Sequence, residues 1–452
     1  MRSKGYGFMH KIGHRLGAAV LVLACLCGSV LPGFAAKPAI SAEAAILIDG
    51  NTGNVLYQKN ADKIMFPAST TKIMTAIVAL DAVKKGEISL EQPLKLSQTA
   101  NDTLAIDGSS IALKVGEEMP LKNLLEGLLI ASGNDAAVTI AEGVAGDIPT
   151  FVARMNEKAK AMGLENTRFI NPHGLHDQNH YTTARDMSKM AFEAMKDPTF
   201  RGIVECAHIY LPATNMSDKR YFINTNNLVS RMRYPYYFYD YATGIKTGST
   251  TEAGYCLVSS AKKGDKSVIS VVFNAEDIAV SHNESKDILE HGLTDFVSQR
   301  LAKRDEIFGE VKVKQAADGT EHLLLSAESN LDALFPQGGD PEKVDISTEI
   351  PEKVYAPISS GQVVGKAIFS YEGNKVGEVN LISTVEIKRH WLGFVMSLGE
   401  WLWHFKVVKF VVYTVLGVFL AFVALIVIGF ARAIKKSKRK RRRNNRYSPP
   451  RY

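Results

Sequence analysis

Three short groups of residues in this sequence could carry out nucleophilic catalysis, and the first is Ser69-Thr-Thr-Lys72. Residues i and i+3 of a helix lie on one face, so Lys72 Nζ can reach Ser69 Oγ. The positive end of a helix dipole favours an oxyanion and disfavours a protonated lysine. Burial and a second nearby cation would lower the lysine pKa further. The spacing predicts a serine nucleophile with a lysine base. A plain N-cap serine is the usual alternative for this motif alone.

Two further groups change the interpretation of the first. Ser132-Gly-Asn134 lies in "ASGNDAA", and Lys246-Thr-Gly248 lies in "GIKTGS" on a predicted strand. Each tripeptide alone is a weak signal. Their order is S-x-x-K, then S-x-N, then K-T-G, which is typical of penicillin-binding proteins and class A β-lactamases. Their joint occurrence in this order, each in a sensible structural context, makes a chance match unlikely.

The chain resembles the low-molecular-weight penicillin-binding proteins that are serine D-alanyl-D-alanine carboxypeptidases. The resemblance includes "FINPHGLHDQNHYTTARDM", "TGIKTGSTTEAGYCLVSSA" and "VYAPISSGQVVGKAIFSYEG", and it covers roughly residues 40 to 390. It implies a cell-wall hydrolase that removes the terminal D-alanine from peptidoglycan stem peptides through a serine acyl-enzyme. It also implies covalent inhibition by penicillin and other β-lactams, with no metal and no cofactor.

The resemblance assigns roles to four residues of the first two motifs. Ser69 is expected to be the acylated nucleophile and Lys72 its general base. Ser132 is expected to relay a proton to the leaving amine, and Asn134 to hold the substrate amide.

The same resemblance assigns the K-T-G segment to substrate binding. Lys246 and Thr247 are expected to bind the terminal carboxylate, with Gly248 and Ser249 beside them. The backbone N–H groups of Ser69 and Ser249 would form the oxyanion hole. Lys246 is expected to line the opposite wall of the cleft, to stay protonated, and to help keep the first lysine neutral.

Two alternative functions are weighed against this hypothesis. A class A β-lactamase uses a glutamate that activates the deacylating water, and no "E-x-x-L-N" follows Ser132 at the expected distance. A non-catalytic wall-binding or penicillin-sensing protein would show a damaged motif or a cytoplasmic signalling domain. All three motifs are intact, and a tail of about 20 residues is too short for a folded domain.

The N-terminal segment has the pattern of a secretory signal peptide. Four basic residues precede an uncharged stretch from Leu16 to Leu31, and small residues follow. Cleavage is predicted after Ala35 or Ala36. An uncleaved anchor helix, or a lipoprotein site at Cys25, are the alternatives.

The C-terminal segment has the pattern of a membrane anchor. Residues Phe410 to Ala431 carry no charge and are long enough to span a bilayer. "KKSKRKRRR" follows at once, which marks the cytoplasmic side. Trp391, Trp401 and Trp403 precede the span, as an interfacial aromatic belt would. A single-pass protein with its catalytic domain on the extracytoplasmic side is predicted, whereas the family often ends in an amphipathic surface helix.

The net charge of +7 is unevenly distributed along the chain. Eleven of the 54 Lys and Arg residues follow residue 431 and four lie within the first 36. The remaining body has 39 basic and 47 acidic residues, a net charge of −8. This balance argues against a nucleic-acid partner.

Hydrophobic periodicity predicts the elements that must hold these motifs. "AAILIDGNTGNVLYQ" predicts a β-hairpin, and a helix is predicted from near Ser69. Helices and loops fill 121–195, and Thr183 with Asp186 suggests a capping box. Tyr255 to Ala261 and Ser267 to Asn274 predict paired strands, followed by a helix over 281–301.

These elements predict an α+β fold in which an antiparallel sheet is flanked by helices and carries a largely helical insert. A small all-β domain and a transmembrane helix follow. The predicted segments are a signal peptide 1–36, a catalytic domain 37–304, a β domain 305–388, a juxtamembrane aromatic segment 389–409, a transmembrane helix 410–431 and a basic cytoplasmic tail 432–452.

Five further residues are assigned structural roles. His173, His176 and His180 lie close together, but no H-E-x-x-H pattern or cysteine partner supports a zinc site. Packing or loop roles are therefore predicted for them. Cys206 and Cys256 are the only cysteines of the mature chain, and two free buried thiols are favoured over a single disulfide.

Overall fold

The computed structural model describes residues 38–390 and 405–444. The predicted signal peptide, the three tryptophans and the last eight residues of the basic tail lie outside the described residues.

The strands in chain order are β1 Ala44–Asp49, β2 Val55–Lys59, β3 Pro93–Lys95, β4 Glu118–Pro120, β5 His208–Leu211, β6 Arg220–Ile223, β7 Ala242–Thr250, β8 Gly254–Lys263, β9 Lys266–Ala275, β10 Phe296–Ala302, β11 Ile307–Lys314, β12 His322–Ala327, β13 Leu331–Pro336, β14 Val344–Glu349, β15 Lys353–Tyr355, β16 Val363–Tyr371 and β17 Asn374–Ser383.

Most helices lie between the first two strands and the strands that complete their sheet. Short 3-10 helices occur at Ala68–Thr71, Pro235–Tyr237 and Pro341–Lys343. The α-helices are α1 Lys72–Lys84, α2 Gln98–Asn101, α3 Leu121–Ile130, α4 Asn134–Ala145, α5 Ile148–Ala161, α6 Ala184–Ala194, α7 Pro198–Val204, α8 Ile278–Thr294 and α9 Lys406–Asn444.

The central sheet joins the two ends of the catalytic region. Its five strands lie in the order β2-β1-β9-β8-β7 and all pair antiparallel. Strand β1 is buried on both faces because alternate side chains enter different cores. Ile46 and Ile48 pack toward the helical insert, whereas Leu47 packs with Ile288 of α8. The predicted α+β fold, with the β1–β2 hairpin and the β8–β9 pair, is confirmed.

Helix α1 is the centre of the helical insert. Ten of its 13 residues are buried, including Ile73, Met74 and Leu80. Helices α4, α5 and α6 pack around it, so α1 is apolar on nearly every side. A helix with this burial cannot rotate without exposing apolar surface, which fixes the direction of the side chains at its start.

Helix α6 begins at the predicted N-cap. The Thr183 hydroxyl accepts a hydrogen bond of 3.0 Å from the backbone N–H of Asp186. The reciprocal half of a capping box is missing, because Asp186 instead accepts from the N–H of Asn166 and the hydroxyl of Thr167. The predicted start is confirmed, and the acidic residue stabilises a neighbouring loop.

The helix predicted over 281–301 is partly wrong. Helix α8 ends at Thr294, and residues 296–302 form strand β10, which pairs antiparallel with β13. The His291 imidazole bonds the carboxylate of Asp295 at the helix end. The pairing partner lies about 35 residues further along the chain, so local periodicity could not reveal it.

The described chain separates into two compact units. The first contains the chain up to Lys303 with Asn330–Ser347 and Ile368–Val379, and the second contains Arg304–Ser329, Thr348–Ala367 and the chain from Asn380. A six-stranded sheet in the order β14-β16-β17-β12-β11-β15 accounts for the predicted all-β region. The limits 37–304 and 305–388 stay a prediction.

Helix α9 fits a membrane anchor by length and composition. Within the described residues it is the one continuous helix long and apolar enough to cross a bilayer, over Lys406–Arg439. Its side chains are exposed throughout the uncharged segment that the sequence predicted to span. An exposed apolar helix of this length is stable only where lipid or another protein surface covers its side chains.

Candidate active site

Ser69 lies in a 3-10 turn that leads into α1. Ala68, directly before it, has φ +46°, a left-handed conformation that is uncommon for alanine. The hydroxyl of Thr70 donates to Pro67 O at 2.6 Å, and that of Thr71 bonds His180 Nε2 at 2.9 Å. Ser69 lies inside this turn, whose N-cap is Pro67, and its Oγ is 2.8 Å from Lys72 Nζ. The two threonines therefore anchor the turn, and the serine hydroxyl is left to face Lys72.

Lys72 is the first residue of α1 and is fully buried. Its Nζ lies 2.8 Å from Ser69 Oγ, 2.7 Å from Asn134 Oδ1 and 2.8 Å from His173 O. Desolvation, followed by the charge of Lys246, places the pKa of Lys72 well below its usual value. These surroundings favour the neutral amine.

With the lowered pKa, the three contacts can be assigned to a neutral amine. A neutral lysine has two N–H hydrogens and one lone pair. Two neighbours, the Asn134 side-chain carbonyl and the His173 backbone carbonyl, can only accept hydrogen bonds. The lone pair of Lys72 then remains for the hydroxyl proton of Ser69. In this arrangement the nitrogen can act chemically as a base.

The S-x-N segment is held by the start of α4. Ser132 is buried and has φ +64°, and Asn134 is the first residue of the helix. The N–H of Asn134 donates to Ser109 O at 2.7 Å. The carboxylate of Asp135 accepts from the N–H groups of Ile111 and Leu113 in the same loop. The acidic residue fixes this loop against the helix start.

Strand β7 passes directly over the turn that holds the serine. A Cβ added to Gly248 would lie 3.0 Å from the backbone nitrogens of Ser69 and Thr70. Only glycine allows this approach without a shift of the backbone. Ser249 is the next residue of β7, so its N–H and the N–H of Ser69 come from adjacent segments, as an oxyanion hole requires.

The two residues before that glycine have different surroundings. Thr247 donates its hydroxyl to Thr225 Oγ1 at 2.8 Å. Lys246 is fully buried, and its Nζ donates to Thr247 O at 2.9 Å. Desolvation lowers the pKa of Lys246 to about 7. Lys246 therefore lies beneath the cleft wall. With this pKa it is only partly protonated at neutral pH, whereas the predicted role required it to stay protonated.

One cleft of about 200 Å³ brings these segments together. Five of the site residues predicted from the sequence line this cleft, namely Ser69, Ser132, Thr247, Gly248 and Ser249. The remaining predicted site residues, Lys72, Asn134 and Lys246, are buried behind the cleft wall. Other lining residues were not found from the sequence; they are Ser109, Thr225, Arg233, Tyr255, Cys256, Ile278, Ser281 and His282.

The missed residues lacked a local signal. Ser109 and Thr225 lie in irregular segments outside any recognised motif, and only the folded chain brings them to the motifs. Arg233 lies in the tyrosine-rich stretch "RMRYPYYFYD", whose composition was a signal that could have been followed. His173 contributes its backbone carbonyl to Lys72 Nζ, and a backbone contact cannot be predicted from the residue type.

The three histidines make packing contacts, whereas Cys206 is exposed and the buried Cys256 lines the cleft. His176 lies edge-on to Phe66 with ring centroids 4.6 Å apart, and His180 lies edge-on to Phe169. Burial lowers the pKa of His180 to about 4. Both cysteines are free, but only Cys256 is buried, so the prediction of two buried thiols is wrong for Cys206, which is exposed.

Residues 33–277 match the family described as "D-alanyl-D-alanine carboxypeptidase". The chain belongs to the D-alanyl-D-alanine carboxypeptidase family. Residues 296–389 match the "Penicillin-binding protein 5, C-terminal domain". The predicted family and its serine-type carboxypeptidase class are confirmed.

The similarity to family members extends over most of the chain. The D-alanyl-D-alanine carboxypeptidase DacF of Bacillus subtilis is 35% identical over 80% of this chain and 90% of its own length. DacC of Escherichia coli is 33% identical over the same shares. The crystal structure of penicillin-binding protein 5 from Haemophilus influenzae is 29% identical, with a TM-score of 0.64 over 78% of this chain and 99% of that one.

Proposed function

We propose that this carboxypeptidase removes the terminal D-alanine from peptidoglycan stem peptides through an acyl-enzyme on Ser69. The observation that carries the proposal is the position of Lys72 Nζ, 2.8 Å from Ser69 Oγ in a fully buried site. The neutral amine takes the hydroxyl proton while Oγ attacks the carbonyl carbon of the penultimate D-alanine. The backbone N–H groups of Ser69 and Ser249 receive the developing oxyanion.

The second half of acylation requires a proton on the leaving amine. Ser132 lines the cleft beside Ser69, and Asn134 connects its segment to Lys72. We assign Ser132 the transfer of that proton from the lysine side to the departing nitrogen, and Asn134 the substrate amide. The C–N bond then breaks, free D-alanine leaves, and water later hydrolyses the ester on Ser69.

The substrate carboxylate is assigned to the β7 side of the cleft. Thr247 and Thr225 form a hydroxyl pair there, and Gly248 keeps the strand close to the serine. Lys246 contributes positive charge from beneath the wall. A dipeptide tail laid along β7 would place its scissile carbonyl at the oxyanion donors and its carboxylate at the threonine hydroxyls.

We also propose that penicillin acylates Ser69 and leaves slowly. Among the described residues that line the cleft, none is an aspartate or a glutamate. The nearby Asp135 carboxylate already accepts hydrogen bonds from the backbone N–H groups of Ile111 and Leu113. Hydrolysis of the penicillin acyl-enzyme would therefore be slow, because no carboxylate in the cleft activates the attacking water. Rapid turnover of penicillin would instead support the β-lactamase alternative.

The proposal is tested with the full-length protein in detergent micelles. A stem pentapeptide that ends in D-alanyl-D-alanine is added, and free D-alanine is measured. Wild-type protein should release one D-alanine per peptide, whereas Ser69→Ala should release none and bind no labelled penicillin. Penicillin labelling without any D-alanine release would support the non-catalytic sensing alternative.

A further inference from the structure

Arg233 is the one lysine, arginine or acidic residue among the described side chains that line the cleft. It is exposed, and within the described part of the chain no ion-pair partner or hydrogen bond accompanies it. Thr247, Ser249 and Ser281 line the same cleft. A guanidinium keeps its charge throughout the accessible pH range. The cleft thus contains a cation that the preceding assignments do not use.

The loop that carries Arg233 is anchored at both ends. Ser230 is fully buried, and Tyr237 stacks on His282 with ring centroids 5.0 Å apart. The N–H of Tyr239 donates to Leu228 O at 3.0 Å. Residues 231–236 between these anchors are exposed. The backbone is held at the cleft edge while the arginine side chain can turn toward a ligand.

The other cations near the serine are poorly suited to bind a carboxylate. Lys72 serves as the base, and Lys246 is fully buried with its Nζ bonded to Thr247 O. Burial lowers the pKa of His282 to about 4, so its ring is neutral at physiological pH. A carboxylate that enters this cleft would find one exposed, permanently charged partner.

We propose that Arg233 binds the C-terminal carboxylate of the peptide substrate, beside the hydroxyls of Thr247 and Thr225. This inference rests on the proposed function and adds a specificity-determining residue to it. A guanidinium can donate two parallel hydrogen bonds to a carboxylate. Arg233 would therefore select peptides with a free C-terminus and would orient the scissile bond toward Ser69.

The test compares two substrates whose only difference is the terminal charge. Nα,Nε-diacetyl-lysyl-D-alanyl-D-alanine carries one carboxylate, and its C-terminal amide carries none. For the full-length protein in detergent, Arg233→Gln should lower kcat/KM for the free acid about 10- to 100-fold, the loss of one charge-assisted hydrogen-bonded pair. The kcat/KM for the amide should stay unchanged, so the acid-to-amide preference should fall by the same factor.

Two variants serve as controls. Arg231 lies in the same loop, but it pairs with Asp240 at 3.0 Å and stacks over Phe238. Arg231→Gln removes the same charge and should leave the acid-to-amide preference intact. Arg233→Lys keeps the charge without the planar fork and should retain part of the preference. Thermal unfolding of each variant confirms that the fold is retained.

The outcomes separate this inference from the proposed function. An Arg233→Gln variant that keeps the wild-type preference, or loses activity equally on acid and amide, would overturn the role of Arg233. A wild-type protein that releases no D-alanine would overturn the proposed function. In that case the Ser69 acylation rates for penicillin and its methyl ester still test Arg233, because that comparison needs no turnover.

Discussion

At the scale of single residues, the two lysines of the site have different environments and therefore different expected roles. Lys72 is enclosed by two hydrogen-bond acceptors and the serine hydroxyl. Lys246 is equally buried, but it has one backbone acceptor and a pKa of about 7. The positive charge of Lys246 makes protonation of Lys72 less favourable and lowers its pKa, so the two amines are electrostatically coupled. Substituting either one should report on both.

Arginine substitutions separate the two roles. Lys72→Arg keeps a charge but supplies no neutral amine, so it should abolish acylation by peptide and by penicillin at any accessible pH. Lys246→Arg keeps the charge and should retain part of kcat with a higher KM. Acylation rates measured across pH check both. Near-wild-type acylation by Lys72→Arg, with an inactive Lys246→Arg, would show that the roles are assigned wrongly.

The pH dependence of acylation should reveal the coupling. Lys72 must be deprotonated to act, so the rate should fall as the pH drops below its lowered pKa. Below about pH 7 Lys246 is protonated, and its charge lowers the pKa of Lys72. Lys246→Gln removes this charge, so the acidic limb of the rate profile should move to higher pH. A limb that stays in place or moves to lower pH would disprove the coupling.

At the scale of elements, the site depends on how closely β7 approaches the start of α1. Glycine at 248 permits contact between strand backbone and the N–H groups of Ser69 and Thr70. The hydroxyls of Thr70 and Thr71 hold the turn from the other side. The oxyanion donors are therefore placed by two elements that meet only in the folded protein.

Gly248→Ala tests this placement. The added Cβ would meet two backbone nitrogens at 3.0 Å, so the strand or the turn must shift. Displaced oxyanion donors should lower kcat by about 10²- to 10³-fold. Gly202→Ala is the matched control, because its added Cβ meets nothing within 4 Å and it lies within α7. Equal activities of the two variants would contradict the close approach.

At the scale of the whole molecule, the apolar part of α9 and the basic residues at its C-terminal end argue for an anchored enzyme. The helix is apolar over a length that spans a bilayer, and its last described side chains are mainly lysine and arginine. Basic residues stay on the cytoplasmic side of a span. We therefore expect the catalytic region outside the membrane, where peptidoglycan is found.

Protease treatment of intact protoplasts tests this topology. Protease added outside should degrade the catalytic region and leave a fragment that contains the basic tail, detectable with an antibody to residues 440–452. Protoplasts opened with detergent serve as the control and should lose the tail as well. A catalytic region that stays protected in intact protoplasts would reverse the predicted orientation.

The sequence by itself determined the family, the α+β fold class and the identities of the motif residues. It could do so because Ser69 and Lys72 are one helical turn apart, and because the β1–β2 and β8–β9 hairpins follow local periodicity. The apolar span near the C-terminus is likewise a local property.

The tertiary structure alone decided which groups surround the two lysines. The acceptors at Lys72 come from residues 62 and 101 positions away, and one of them is a backbone carbonyl. The strand β10 depends on pairing with β13, and Arg233 reaches the cleft through a loop fixed by tyrosine packing. Desolvation and strand pairing are set by the surrounding chain, so no window of sequence contains them.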